Sequence, residues 1–170
     1  MLFRSADKWE ARVDHAYYAF NDVSAMMAFV GAGRADAQAR LVAAARRAAA
    51  GQGTNAMMSR EIGVPGCEAF AAFGRGDYAR TMELLMPLRG KANRMGGSHA
   101  QRDMFSWTLT EAAIRLGDRA LADAFVAERL SWKPASPINR AWAVRAGKLD
   151  RTGVDQPCNP SDLQGPATLV

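Results

Sequence analysis

Apolar residues recur at intervals of three and four over most of the first 147 positions, a pattern typical of amphipathic α-helices. Two such stretches, Tyr17–Gly31 and Asp36–Ala49, are separated by glycines that end the first. A third begins near Asn55, with Thr54 as its N-cap. Gly63-Val64-Pro65 predicts a break in it, because proline removes a backbone donor and clashes with the preceding turn. Further helices are predicted over about 78–86, 99–116, 119–130 and 138–146, and no β-strand is expected.

Side chains suited to capping precede the later helices. Asp77 and Asp118 are candidate N-caps, since their carboxylates can accept a hydrogen bond from an unpaired helical amide. Ser98 and Gln101 have the spacing of a capping box. Ser136-Pro137 places a capping serine before a proline at the first helical position. These residues predict where the helices start.

A glycine-centred turn occurs three times between apolar stretches, at Gly33-Arg34-Ala35, Gly76-Asp77-Tyr78 and Gly117-Asp118-Arg119. The glycines are 43 and then 41 residues apart, from position 33 to 76 and from 76 to 117. Repeats of this length are typical of paired helices whose apolar faces are buried against the neighbouring pair. We therefore predict an all-α fold in which antiparallel helical hairpins stack as a short α-solenoid.

The chain is expected to have three parts. Residues 1–16 form an irregular segment, residues 17–147 a helical repeat domain, and residues 148–170 a disordered tail. The tail is predicted to be disordered because glycine, proline and small polar residues dominate it, and such a composition does not build a packed core. No function is expected from the tail.

Charge and hydropathy exclude several classes of protein. The net charge is +5, but the basic residues are scattered among acidic ones, and Arg46-Arg47 is the only adjacent basic pair. This distribution does not predict binding to nucleic acid. The longest apolar stretch, Ala25–Gly33, is shorter than the roughly 18 residues of a membrane helix. Charged residues follow Met1 where a signal peptide would be apolar. We expect a cytoplasmic protein with no membrane partner.

The cysteines and tryptophans are interpreted as structural. Cys67 and Cys158 are far apart and have no Cys or His at metal-binding spacing, so neither a zinc site nor a disulfide is predicted. No motif indicates another metal or a cofactor. Trp107, Trp132 and Trp142 are expected to be packing anchors.

Four stretches in order along the chain carry a resemblance to a known family. They are Tyr17–Asp22 with Ala25–Ala28, Phe73–Arg80, Gly97–Asp103 and Lys133–Pro137. Together they resemble the tetratricopeptide repeat protein 38 family, and the resemblance runs from about Trp9 to Arg145. It implies a helical repeat fold and no particular reaction. Family members are much longer, and this chain looks like their C-terminal portion. Ser24 stands where the family usually carries histidine.

The resemblance suggests where a groove would lie. In a tetratricopeptide stack the first helix of each hairpin lines the concave surface. The polar residues expected there are Asn21, Asp22, Arg60, Glu61, His99, Gln101, Arg102 and Asp103. A buried, unpaired carboxylate is costly, so we expect Asp22 to form an ion pair with Arg102 or Arg60.

Three interpretations of these polar residues remain open. In the first, they hold neighbouring repeats in register. In the second, Arg102 binds a carboxylate or phosphate near His99. In the third, His99 with Asp103 or Asp22 activates water or Ser24 in a hydrolase-type pocket. We favour a scaffold that binds a peptide or protein partner and has no catalytic residues. Alternative partners are a second copy of the chain and the N-terminal repeats of longer relatives.

Overall fold

The chain is all-α. The computed structural model describes the backbone of residues 2–16 and 18–149 and the side chains of residues 5–16 and 18–149. No β-strand occurs in these ranges. The helices are α1 Leu2–Glu10, α2 Ala19–Gly31, α3 Ala35–Ala49, α4 Gly53–Met58, α5 Val64–Gly74, α6 Tyr78–Leu85, α7 His99–Leu116, α8 Arg119–Trp132 and α9 Pro137–Gly147. None of the helices in the described ranges is long and apolar enough to cross a membrane.

The chain divides into two compact units, residues 1–106 and 107–170, with the division inside α7. The sequence analysis expected one repeat domain over residues 17–147. Most of the predicted C-terminal tail, residues 150–170 with Cys158, lies outside the described ranges.

The three glycine turns predicted from the sequence share one backbone geometry. Gly33, Gly76 and Gly117 all have a positive φ, between 67° and 79°, which glycine adopts without steric cost. In each turn the amide of the residue after the glycine donates to the carbonyl of the residue four positions before the glycine. The three bonds are Arg34 N to Phe29 O at 2.9 Å, Asp77 N to Ala72 O at 3.0 Å and Asp118 N to Ala113 O at 3.1 Å. The turn is therefore a recurring structural unit as well as a recurring sequence.

The N-terminal segment is more regular than its sequence indicates. Residues 1–16 were expected to be irregular, but α1 covers Leu2–Glu10, and Ala6 and Val13 are fully buried. Arg34, at the start of α3, forms ion pairs with Asp7 and Glu10. The local sequence pattern does not predict this helix, because the segment is held by contacts with residues far along the chain.

The predicted break at Gly63-Val64-Pro65 is wrong. Helix α4 continues into a π-helical turn, Ser59–Gly63, and then directly into α5. Pro65 lies in the first positions of α5, where the wider π turn before it accommodates the ring. Thr54 lies inside α4 rather than at its N-cap, which is Gln52. Tertiary packing has overridden the local signal for a break.

The other capping predictions agree with the structure at three sites. Asp77 and Asp118 accept hydrogen bonds from the amides of Arg80 and Leu121, each at 3.0 Å. Ser98 and Gln101 form the reciprocal capping box, with bonds of 2.9 and 3.2 Å. Ser136 is the N-cap of α9, but its side chain makes no capping bond.

The second unit contains a buried carboxylate, Glu111 on α7, that is 6% exposed. Arg145 on α9 donates to both of its oxygens, at 2.7 and 2.9 Å, and Arg115 donates at 2.6 Å. The indole N–H of Trp142 donates to the same carboxylate at 2.8 Å. Burial raises the pKa of Glu111, but the bonds from Arg145 and Arg115 outweigh it and lower the pKa to about 2.

Beside this carboxylate a buried cation packs against two tryptophans. The Arg129 guanidinium, 3% exposed, is 5.5 Å from the Trp107 ring centre and 5.2 Å from that of Trp142. The two rings meet edge to face at 5.5 Å. Asn139 accepts from Arg129 Nε at 3.1 Å. Trp107 and Trp142 are thus packing anchors as predicted, whereas Trp132 is 62% exposed and is not.

Glu111→Gln is predicted to destabilise the protein by about 3 kcal/mol at pH 7, because it leaves two arginines without their buried counter-charge. The carboxylate's folded pKa lies below its usual 4.5, so its stabilising effect is full above pH 4.5 and disappears as the pH falls towards 2. Thermal unfolding followed by circular dichroism at pH 7 and at pH 3 measures both effects.

Glu83→Gln is the matched control, since Glu83 forms an exposed pair with Arg80 at 2.7 Å. Exposed pairs contribute at most about 1 kcal/mol. Equal losses for the two variants at pH 7 would contradict the central role assigned to Glu111.

Candidate functional site

A small cavity lies in the first unit between the N-terminal segment, α2 and α3. The centre of a water-sized sphere can occupy about 20 Å³ of it, which is room for one water molecule. Its lining includes two of the groove residues predicted from the sequence, Asn21 and Asp22. The other lining residues are Trp9, Arg12, Val13, His15, Ala16, Tyr18, Ala25 and Leu41.

Asp22 is the unusual group in this cavity. It is 6% exposed, and its Oδ2 has no hydrogen-bond partner among the described residues. Burial raises the pKa of Asp22 to about 7. Burial also raises the pKa of the Cys67 thiol on α5, and the Asp22 charge raises it further. Asp22 is therefore a buried carboxylate that no cation within the described ranges compensates.

Asp22→Asn is predicted to stabilise the protein at pH 8. The folded pKa of Asp22 lies above its usual 3.8, so the folded state loses stability as the pH rises from about 4 to about 7 and keeps that loss above 7. Asparagine removes the buried charge. The expected gain is about 4 kcal/mol at pH 8 and about 1.5 kcal/mol at pH 5, at roughly 1.4 kcal/mol per pKa unit.

Urea unfolding of both proteins at pH 5 and pH 8 measures this difference. Asp36→Asn is the matched control, because Asp36 also lies in the first turn of a helix but is exposed. A gain for Asp22→Asn that is the same at both pH values, or no gain, would show that Asp22 is not ionised against a desolvation cost.

The predicted ion pair of Asp22 with Arg102 or Arg60 is wrong. Arg60 donates to the Ala49 carbonyl at 2.6 Å. Its neighbour Glu61 pairs with Arg94 at 2.6 Å. Arg60 and Glu61, the predicted groove residues in the π turn, therefore bond to the end of α3 and to the 3₁₀ turn Ala92–Met95.

Arg102 holds a glycine turn instead. Its guanidinium donates to the carbonyls of Gly96, at 3.1 Å, and Gly97. Both glycines have positive φ, 79° and 74°. A Cβ at Gly97 would lie 2.8 Å from the Phe20 ring, so this turn packs closely against the start of α2. Arg102 thereby positions the connection before α7 against α2.

The remaining predicted site residues lie at the start of α7 and on α2. His99 is exposed in the first turn of α7. Asp103 is half-buried and engaged in a polar contact. Gln101 is exposed and completes the capping box. Ser24 donates its hydroxyl to the Phe20 carbonyl at 2.8 Å.

Arg102→Ala is predicted to lower stability by about 1–3 kcal/mol, since hydrogen bonds to charged groups contribute roughly that much. The melting temperature should fall by several degrees. Arg75→Ala is the matched control, because Arg75 is exposed at the end of α5. Differential scanning calorimetry compares the two variants, and an unchanged melt for Arg102→Ala would contradict its positioning role.

Comparison with known protein-family models and with solved structures gives no match for this chain. Among the described residues there is also no group of three or more His, Cys, Asp and Glu side chains that could hold a metal ion. The site is therefore interpreted from its own geometry.

The part of the cavity wall formed by the N-terminal segment was not predicted. Trp9, Arg12 and His15 lie in a segment without helical periodicity, so no pattern linked them to Asp22. The available signal was Asp22 itself, a charged residue on an otherwise apolar helix face. Such a residue indicates a buried polar site without indicating which part of the chain covers it.

Proposed function

We propose that this protein is a binding module built from tetratricopeptide-like helical hairpins, related to the C-terminal portion of the tetratricopeptide repeat protein 38 family, which engages a peptide or protein partner. The three equivalent glycine turns support a repeat architecture, because one turn geometry joins helices at regular intervals. The proposal includes stacking of the hairpins into a short α-solenoid.

The polar residues of the predicted groove support a scaffold over a hydrolase. Arg60, Glu61, Gln101 and Arg102 each bond to groups within the fold. A catalytic pocket needs a base and an orienting group within hydrogen-bond reach of each other. His99 is exposed in the first turn of α7, whereas Asp22 is buried on α2. These contacts favour the interpretation that the groove residues keep neighbouring elements in register.

One observation carries the binding proposal, the exposure of Trp132 at the end of α8. Its side chain is 62% exposed, although tryptophan is among the costliest side chains to leave in water. The backbone on both sides is fixed, because Asn139 Nδ2 donates to the Arg129 and Lys133 carbonyls at 3.0 and 3.1 Å. A tryptophan presented on rigid backbone is typical of an interface hot spot.

The chemistry around Trp132 suits a partner with acidic and apolar residues. Arg140 on α9 is exposed and its Nε donates to the Pro134 carbonyl at 3.1 Å, which places a cation close to Trp132. Apolar contacts with a basic rim favour such a partner through complementary charge. A second copy of the chain and the N-terminal repeats of a longer relative remain alternative occupants.

Trp132→Ala is predicted to weaken partner binding at least tenfold while changing the melting temperature by less than about 2 °C, because an exposed ring contributes little to the core. A photoreactive phenylalanine at position 132 of the full chain should give a discrete cross-linked product in cells, identified by mass spectrometry. A product containing the same chain would indicate self-association.

Met86 provides the matched control, since it is 40% exposed in the first unit. The same photoreactive residue at position 86 should give no such product, and Met86→Ala should keep full binding. No product at position 132, or equal products at the two positions, would overturn the assignment of this surface.

A further inference from the structure

We propose that the cavity beside Asp22 is a binding site for the ammonium group of a small primary amine. This site lies in the first unit and involves none of the residues assigned to partner binding. It therefore stands or fails independently of the proposed function.

The carboxylate determines the charge of the ligand. Asp22 lines the cavity, is 94% buried, and presents an Oδ2 atom without a partner among the described residues. A buried carboxylate of this kind is stabilised by a cation that donates hydrogen bonds to it. An ammonium group supplies both the positive charge and the donors.

The size of the cavity determines how much of the ligand enters. The cavity has room for one group about the size of a water molecule. An ammonium head is about as large as water, whereas a quaternary ammonium is larger and has no N–H to donate. Trp9 and Tyr18 also line the cavity and offer aromatic rings suited to a cation.

The outer rim has a different charge. Arg12 and His15 line the cavity and are exposed, so the remainder of the ligand meets positive or titratable groups on its way to solvent. On α5, the titratable group next to Asp22 is the buried Cys67 thiol. A carboxylate next to the amine, as in an amino acid, would therefore suit the rim.

Titration of the ¹⁵N-labelled full chain with methylammonium chloride at pH 8, followed by amide chemical shifts, tests the proposal. Asp22 is ionised at this pH because its pKa is about 7. We expect saturable shifts at Asp22, Ala25 and Leu41, with a dissociation constant on the order of millimolar because the ligand is so small. Sodium chloride at equal ionic strength should give no such shifts.

Two comparisons make the result specific. Asp22→Asn should weaken methylammonium binding at least tenfold, whereas Asp36→Asn should leave it unchanged. Tetramethylammonium should give no saturable shifts with the unmodified chain, and this arm does not depend on the behaviour of any variant. Equal binding of tetramethylammonium, or binding that survives Asp22→Asn, would overturn the proposal, as would the absence of saturable shifts.

Glycine provides the last arm. Tighter binding of glycine than of methylammonium, lost in Arg12→Ala, would support the site and identify its ligand as an amino acid. Equal or weaker binding of glycine, with methylammonium still bound, would support the site for amines that lack a carboxylate.

Discussion

A carboxylate that leaves water must be compensated inside the fold, and the two buried carboxylates among the described residues, Glu111 and Asp22, meet that constraint in opposite ways. Glu111 receives donors from Arg145, Arg115 and Trp142, and its pKa falls to about 2. Asp22 has no such donors among the described residues, and its pKa rises to about 7. The first carboxylate holds the second unit together, whereas the second marks a cavity that a ligand can complete.

Both arrangements depend on elements brought together from distant parts of the chain. Glu111 on α7 and Arg145 on α9 are 34 residues apart, and the Arg34 side chain reaches Asp7 and Glu10 across 27 and 24 residues. The ion pairs of Arg34 keep the N-terminal segment next to α2 and α3, where it forms one wall of the Asp22 cavity. Because these pairs are partly exposed, salt should weaken them.

Local signals were reliable where the responsible interaction is itself local. The caps at Asp77 and Asp118 and the box of Ser98 with Gln101 involve groups three residues apart, so the sequence contains both partners. The glycine turns are equally local, since a positive φ at one position determines the bond pattern around it. The break expected at Pro65 does not form. A π turn precedes the proline, and α2 packs so closely here that a Cβ at Gly63 would lie 3.1 Å from Ala19. These features outweigh the helix-breaking tendency of one proline.

The sequence by itself determined the all-α class, the helix starts that depend on caps and the recurring turns. It also showed that Asp22 interrupts an apolar face. Only the tertiary structure decided what each charged side chain contacts: Arg102 bonds to a glycine turn, Arg129 packs against two tryptophans, and Asp22 has no cation partner among the described residues. The physical reason is that periodicity reports which side of a helix is buried, whereas the partner of a buried charge depends on which distant element packs there.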